Sequence, residues 1–155
     1  MNPVLLTKEL CAFLETVLTE FLLETGKGQD KAPQVAEGWL PPKGSSDKPD
    51  FPYVIVRLCE GTDSEERGQA TIKIIVGTYS EEIEGWKDVG NIIMRIRNTL
   101  LITRILNNRY QLELPLKWQL FEEQPYPEWI GQITTKWTIA LPIEQVKEDD
   151  YVYEE

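Results

Sequence analysis

Histidine is absent from the 155 residues. General acid–base catalysis uses histidine most often, or a tuned carboxylate, so the commonest proton-transfer side chain is missing. Cysteine is scarce. Cys11 and Cys59 form no CxxC pair and no metal-ligand spacing. A buried, reduced thiol is expected for each, which suits a reducing cytoplasm. No apolar run approaches the roughly 20 residues needed to span a bilayer. The N-terminus lacks the basic region, apolar stretch and small-residue cleavage site of a signal peptide. Gly26-Lys27-Gly28 is too short for either phosphate-binding glycine motif, and no nucleophile elbow occurs. Positive charge is also short, with 16 Lys and Arg against 26 Asp and Glu and a formal net charge of −10. An acidic surface repels nucleic acid and anionic lipid at long range. No sequence-specific nucleic-acid partner, membrane, cofactor or metal is expected. Asp63, Glu65 and Glu66 lie close together but lack the full pattern and central glycine of a calcium loop. The chain reads as a non-enzyme.

What is present is enough apolar material for one folded domain. Apolar residues make up 41% of the chain, with five tryptophans and six tyrosines. These supply large, rigid burial surface. Residues 3–24 read as an amphipathic helix. Leu6, Leu10, Phe13, Leu14, Val17, Phe21 and Leu22 recur at spacings of three and four, and Gly26 is the stop signal. Residues 25–50 are crowded with Gly, Pro, Lys and acids and read as a long loop. Trp39 and Leu40 are apolar islands in it. They serve either to pin the loop to the body or to order against a neighbouring subunit.

The alternation predicts strands over 52–60 and 69–79, joined by a polar connector short enough for an antiparallel hairpin. A second helix is expected over 86–106, with Trp86, Val89, Ile93, Ile96 and Leu100 as its stripe. Asn107-Asn108 offers a left-handed exit. Residues 109–121 alternate most cleanly, with Pro115 marking an edge strand or bulge. A last strand is expected over 129–141. From Glu144 onward the chain is an acidic tail.

The expected fold is thus a single α+β domain over 1–143 in the order α-β-β-α-β-β. Two helices pack on a four-stranded, mainly antiparallel or mixed sheet, followed by the acidic tail 144–155.

Four pieces of this chain, in this order and spacing, carry a family likeness. They are Phe51-Pro52-Tyr53-Val54-Ile55-Val56, the tract Ile72 to Ser80, Gly85-Trp86-Lys87-Asp88 leading into Ile92 to Leu101, and Tyr126-Pro127-Glu128-Trp129-Ile130-Gly131 leading to Trp137 and Pro142. Together they resemble the tail terminator, or tail completion, proteins of long-tailed bacteriophages and prophages. The likeness covers roughly two thirds of the chain and leaves out the loop 25–50 and the acidic tail.

The resemblance implies a small α+β protomer that forms a hexameric ring. Such a ring caps the tail tube, ends its polymerisation and meets the head connector, and DNA later passes through it. It implies self-association, a tail-tube partner and a head-connector partner. It places the protein in the host cytoplasm during assembly and in the virion tail afterwards. No catalytic residue is carried over. On that reading Asp63, Glu65, Glu66 and Arg67, and Glu81, Glu82 and Glu84, are candidate subunit-interface or lumen positions. A heterologous ring contact needs two different patches per subunit; Trp39 or the edge near Pro115 supplies one. The same residues fit another neck, connector or tail-tube component, or a non-phage bacterial adaptor or ligand-binding domain.

Overall fold

The computed structural model describes residues 2–26, 28–41 and 50–145. Part of the expected loop, 42–49, and most of the expected tail, 146–155, lie outside the described residues.

The first helix, α1 (Pro3–Val17), starts where the chemistry allows. Asn2 caps it, its Oδ1 accepting from the Val4 N–H at 2.8 Å, and Pro3 occupies the first turn. Leu6, Leu10 and Leu14, one turn apart, are fully buried. The helix stops after Val17, short of the expected residue 24. The apolar pattern runs on, but Phe21 and Leu23 reach the core from irregular chain, and Leu23 bridges to Lys31. Periodicity reports which residues are buried, not whether the backbone between them stays helical.

Among the described residues the sheet has six strands, which corrects the expected four. They are β1 (Gln34–Glu37), β2 (Tyr53–Asp63), β3 (Gly68–Tyr79), β4 (Ile105–Leu106), β5 (Tyr110–Leu120) and β6 (Glu128–Ile139), in the spatial order β1-β2-β3-β6-β5-β4. β1 lies inside the expected loop and runs parallel to β2, so the sheet is mixed. Four residues between Pro33 and Gly38 are too few to show alternation. Their strand character comes from β2, through Gln34 N–H to Pro52 O at 2.9 Å and Gly38 N–H to Val56 O at 2.8 Å. β4 lies where the second helix was expected to continue. That helix, α2 (Trp86–Thr103), ends at Arg104, whose φ is +59°. Asn107 and Asn108, both at positive φ, then make the tight turn from β4 to β5. The helix-like apolar spacing of Ile105 and Leu106 is equally satisfied by a two-residue strand.

Both helices cover one face of the sheet. Val54 and Val56 of β2, Ile72, Ile74 and Val76 of β3, and Ile133 and Trp137 of β6 join Leu6, Leu10 and Leu14 of α1 in one core cluster. Val89, Ile92, Ile93, Ile96 and Leu100 of α2 complete it. The opposite face carries the alternate residues and, among the described residues, no helix.

β5 departs from simple alternation. Its register against β6 shifts between Glu113 and Lys117, around Pro115. Tyr110 and Leu112 before the shift are buried, whereas Leu114 and Trp118 are exposed. A second shift in β2, between Leu58 and Glu60, leaves Cys59 unpaired and exposed. That corrects the expectation of a buried thiol there. Cys11 is buried, and desolvation, with smaller contributions from Glu37 and Glu15, pushes its thiol up to about 12.

Candidate functional site

The acidic positions singled out from the sequence fall into two groups at opposite ends of β3. Asp63, at the end of β2, and Glu65 and Glu66, in the turn that follows, are exposed before it, and Glu81, Glu82 and Glu84 are exposed after it. A twelve-residue strand separates the groups by about 35 Å, so they are two places rather than one site. Among the described residues no three carboxylates or thiols converge in a way that would hold a metal ion.

Arg67 is drawn into the fold. It reaches across the end of β6 to Glu113 of β5, with Nη2 2.8 Å from Oε1. Gln69 adds a bond to the same carboxylate at 3.3 Å. Burial pushes the Glu113 carboxyl up, but bonds from Arg67, Gln69 and Thr138 outweigh it and hold it below the usual range. Glu113→Gln is expected to lower Tm by a few degrees at neutral pH. A depressed carboxylate stabilises the fold above its unfolded pKa, and that stabilisation is lost as pH falls through the folded value. Melting curves of the two proteins should therefore converge below about pH 4. A gap unchanged at low pH would show that the ionised carboxylate is not the source.

The other acidic group has company that the sequence did not reveal. Glu82, Glu84 and Asp88 line one cleft with Glu24 and Asp30, which arrive from the segment after α1. Desolvation and then repulsion from Glu82, Asp30, Asp88 and Glu81 raise the Glu24 carboxyl. Desolvation followed by Glu82 does the same to Asp88. Among the described residues lining the cleft the one cation, Lys87, already pairs with Glu84 at 3.3 Å. This is a concentrated, under-compensated patch of negative charge.

Beside it lies an apolar groove that sequence reasoning missed. Trp86, Gly90 and Met94 of α2 face Trp118 and Leu120 of β5 across an open space of about 340 Å³. Trp86 is 49% exposed and Trp118 48%. Ile83, on the turn between β3 and α2, is 77% exposed. The helical period places Trp86 in the stripe of α2, yet in the first turn of that helix it faces Trp118 across the groove and stays outside the core cluster. The period of a helix does not show which of its turns has a packing partner.

The turn bearing Ile83 is firmly built. Gly85 precedes α2 against Trp129, and a Cβ there would collide with the Trp129 indole nitrogen. That nitrogen donates to Ser80 O at 3.0 Å, and the Tyr126 hydroxyl donates to Glu81 O. Exposed apolar groups on such a fixed frame lose little entropy on binding.

Trp39 leaves β1 on the helix-free side, where the Arg57 guanidinium stands 4.5 Å from its ring centre. Arg57 Nε also donates to Gly38 O at 2.9 Å. The ring is pinned, yet 69% of Trp39 is exposed, so both sequence-based readings of it remain compatible with its position.

No family model matches the chain, and no curated protein does either. Among solved structures the chain is similar to one from the virion of a native gene transfer agent particle. The identity is 14% and the TM-score 0.40, with 68% of this chain and 78% of that chain covered. Among the described residues no helix is long and apolar enough to cross a membrane.

Proposed function

We propose that this protein is a structural subunit of a tailed phage-like particle, not an enzyme, and that it closes into a ring which caps the tail tube and ends its growth. The observation that carries the reading is the exposed groove of Trp86 and Trp118 with Ile83 at its side, bordered by acids. Exposed aromatics over a rigid apolar patch with a charged rim are the anatomy of a protein interface. The four sequence pieces that resemble tail terminators supply the identity of the assembly. One of them, Gly85 to Asp88 leading into Ile92 to Leu101, supplies Trp86 and Met94 of this patch, and Ser80, Tyr126 and Trp129 from two others brace the turn beside it. The open sheet face supplies a second, chemically different surface, as a head-to-tail ring requires.

The test is the solution mass by light scattering across concentration, alone and with preformed tail-tube ends, with negative-stain imaging of the largest species. Closed rings of about six subunits are expected from heterologous contacts that close on themselves. Open stacks would make the protein a tube component instead. Strict monomers even with tube ends present would overturn the assembly reading and turn attention to ligand binding.

A further inference from the structure

The helix-free face of the sheet carries a concentration of positive charge at odds with the chain as a whole. Strand register puts Arg57, Lys73, Thr134 and Lys117 in one row across β2, β3, β6 and β5. Lys136, two residues along β6, stands between Thr71 and Glu113 in a neighbouring row. Adjacent strands are about 4.8 Å apart, so Lys73 and Lys117 are separated by about 10 Å with Lys136 close to both. Among the described residues none of these three lysines makes an ion pair. Among the described strand residues the carboxylates on the same face are Glu60, Glu113 and Glu128, and Glu113 is already engaged by Arg67. On the other side of the lysine row lies the row Ile55, Ile75, Gln132 and Gln119, where Ile75 is half-buried.

We propose that this face receives the acidic turn Glu81–Glu84 of a second copy of the chain. The inference rests on the assembly reading above and names one contact within it. The two surfaces complement each other twice. Glu81 and Glu82, with Glu84 beside them paired to Lys87, match the lysines in charge, and the exposed Ile83 among them matches Ile75. The pairing is between copies because one chain cannot make it. Lys73 precedes Tyr79, the last residue of β3, by six positions, about 20 Å along the strand, and the turn lies beyond. A lysine side chain does not reach that far. Nucleic acid is the poorer occupant, since a net charge of −10 opposes its approach. A second copy carries the same net charge and is repelled at long range too, but it alone brings an acidic turn with an apolar residue at its centre, and at contact distance complementary patches set the register of the encounter.

The experiment is a charge swap on the full chain. One variant carries Lys73→Glu, Lys117→Glu and Lys136→Glu, a second Glu81→Lys, Glu82→Lys and Glu84→Lys, and a third carries all six. Light scattering and negative stain read the assembled fraction, and thermal melting confirms folding. If one set of reversals fails to fold, Lys73→Gln, Lys117→Gln and Lys136→Gln or the corresponding Glu→Gln set replaces it. Each single-set variant should lose assembly at least tenfold, and the six-fold variant should recover most of it. Assembly of both single-set variants at the wild-type level overturns the proposal, as does failure of the folded six-fold variant to recover. Duplex DNA retained by the wild type and released by the lysine variant overturns it in favour of nucleic acid. If the wild type itself never assembles, the functional reading has failed and this contact falls with it. If the wild type forms rings that ignore the swap, only the contact is wrong.

Discussion

Trp137→Ala is expected to lower Tm by about 6–20 °C, one of the large stability losses available to a single truncation in this fold. Trp137 is among the largest fully buried side chains. It faces Ala70 across β3 and Leu112 across β5, so it ties three strands together beneath the helices. Its indole N–H donates to Thr135 Oγ1 at 2.8 Å, and the Thr135 hydroxyl donates to Ile72 O at 2.7 Å. Both polar groups are buried and satisfied, so the tryptophan adds volume without an unpaired donor. Truncating such a side chain costs about 3–5 kcal/mol, from lost transfer energy and the cavity left behind. For a domain of this length each kcal/mol is worth about 2–4 °C. Against a typical total of about 5–15 kcal/mol, the variant is marginal. Calorimetry or far-UV circular dichroism reads the change. Trp137→Phe should recover more than half of it, because most of the apolar contact returns. A loss in Trp137→Ala below about 1 kcal/mol would show that the site collapses around the gap.

The second large effect concerns assembly and leaves stability alone. Trp86→Asp should keep Tm within about 2 °C of wild type, since the side chain is half exposed and outside the core cluster. The same change puts a charge in the middle of the groove formed with Met94, Trp118 and Leu120. An interfacial tryptophan of this kind typically carries 2 kcal/mol or more, so association should weaken by about 30-fold or more per contact. In a closed ring every subunit makes that contact, and the rings should vanish at concentrations where wild type forms them. Sedimentation velocity or mass photometry at matched concentration measures it. Wild-type rings from the Trp86→Asp chain would remove the groove from the interface. A large drop in Tm would instead make Trp86 a core residue, against its exposure.

The main hydrophobic faces could be read from residue order. The fourfold spacing of Leu6, Leu10 and Leu14 and the twofold spacing of Ile72, Ile74 and Val76 each specify one buried face, because side-chain direction follows backbone period. What could not be read was anything that depended on a neighbour. β1 is a strand because β2 lies beside it. β4 is two residues long, and nothing in two residues distinguishes a strand from the end of a helix. Cys59 is exposed at a register shift, which arises from pairing between strands and leaves no periodic trace. The acidic positions after β3 were visible as candidates, but Glu24 and Asp30, which intensify their field, come from a segment more than fifty residues earlier in the chain.

By itself the sequence determined the class of protein: one acidic α+β domain without histidine, whose apolar faces demand a sheet covered by two helices. Those properties follow from composition and from local period, which belong to the chain before it folds. Only the tertiary structure decided the number of strands, the side of the sheet left bare and the places where apolar groups stay in water. Trp86 and Trp118 are adjacent because α2 packs against β5 as well as β6, and Lys73, Lys117 and Lys136 are adjacent because β6 lies between β3 and β5. A surface is made by residues far apart in sequence, and its chemistry exists only once long-range pairing has set them side by side.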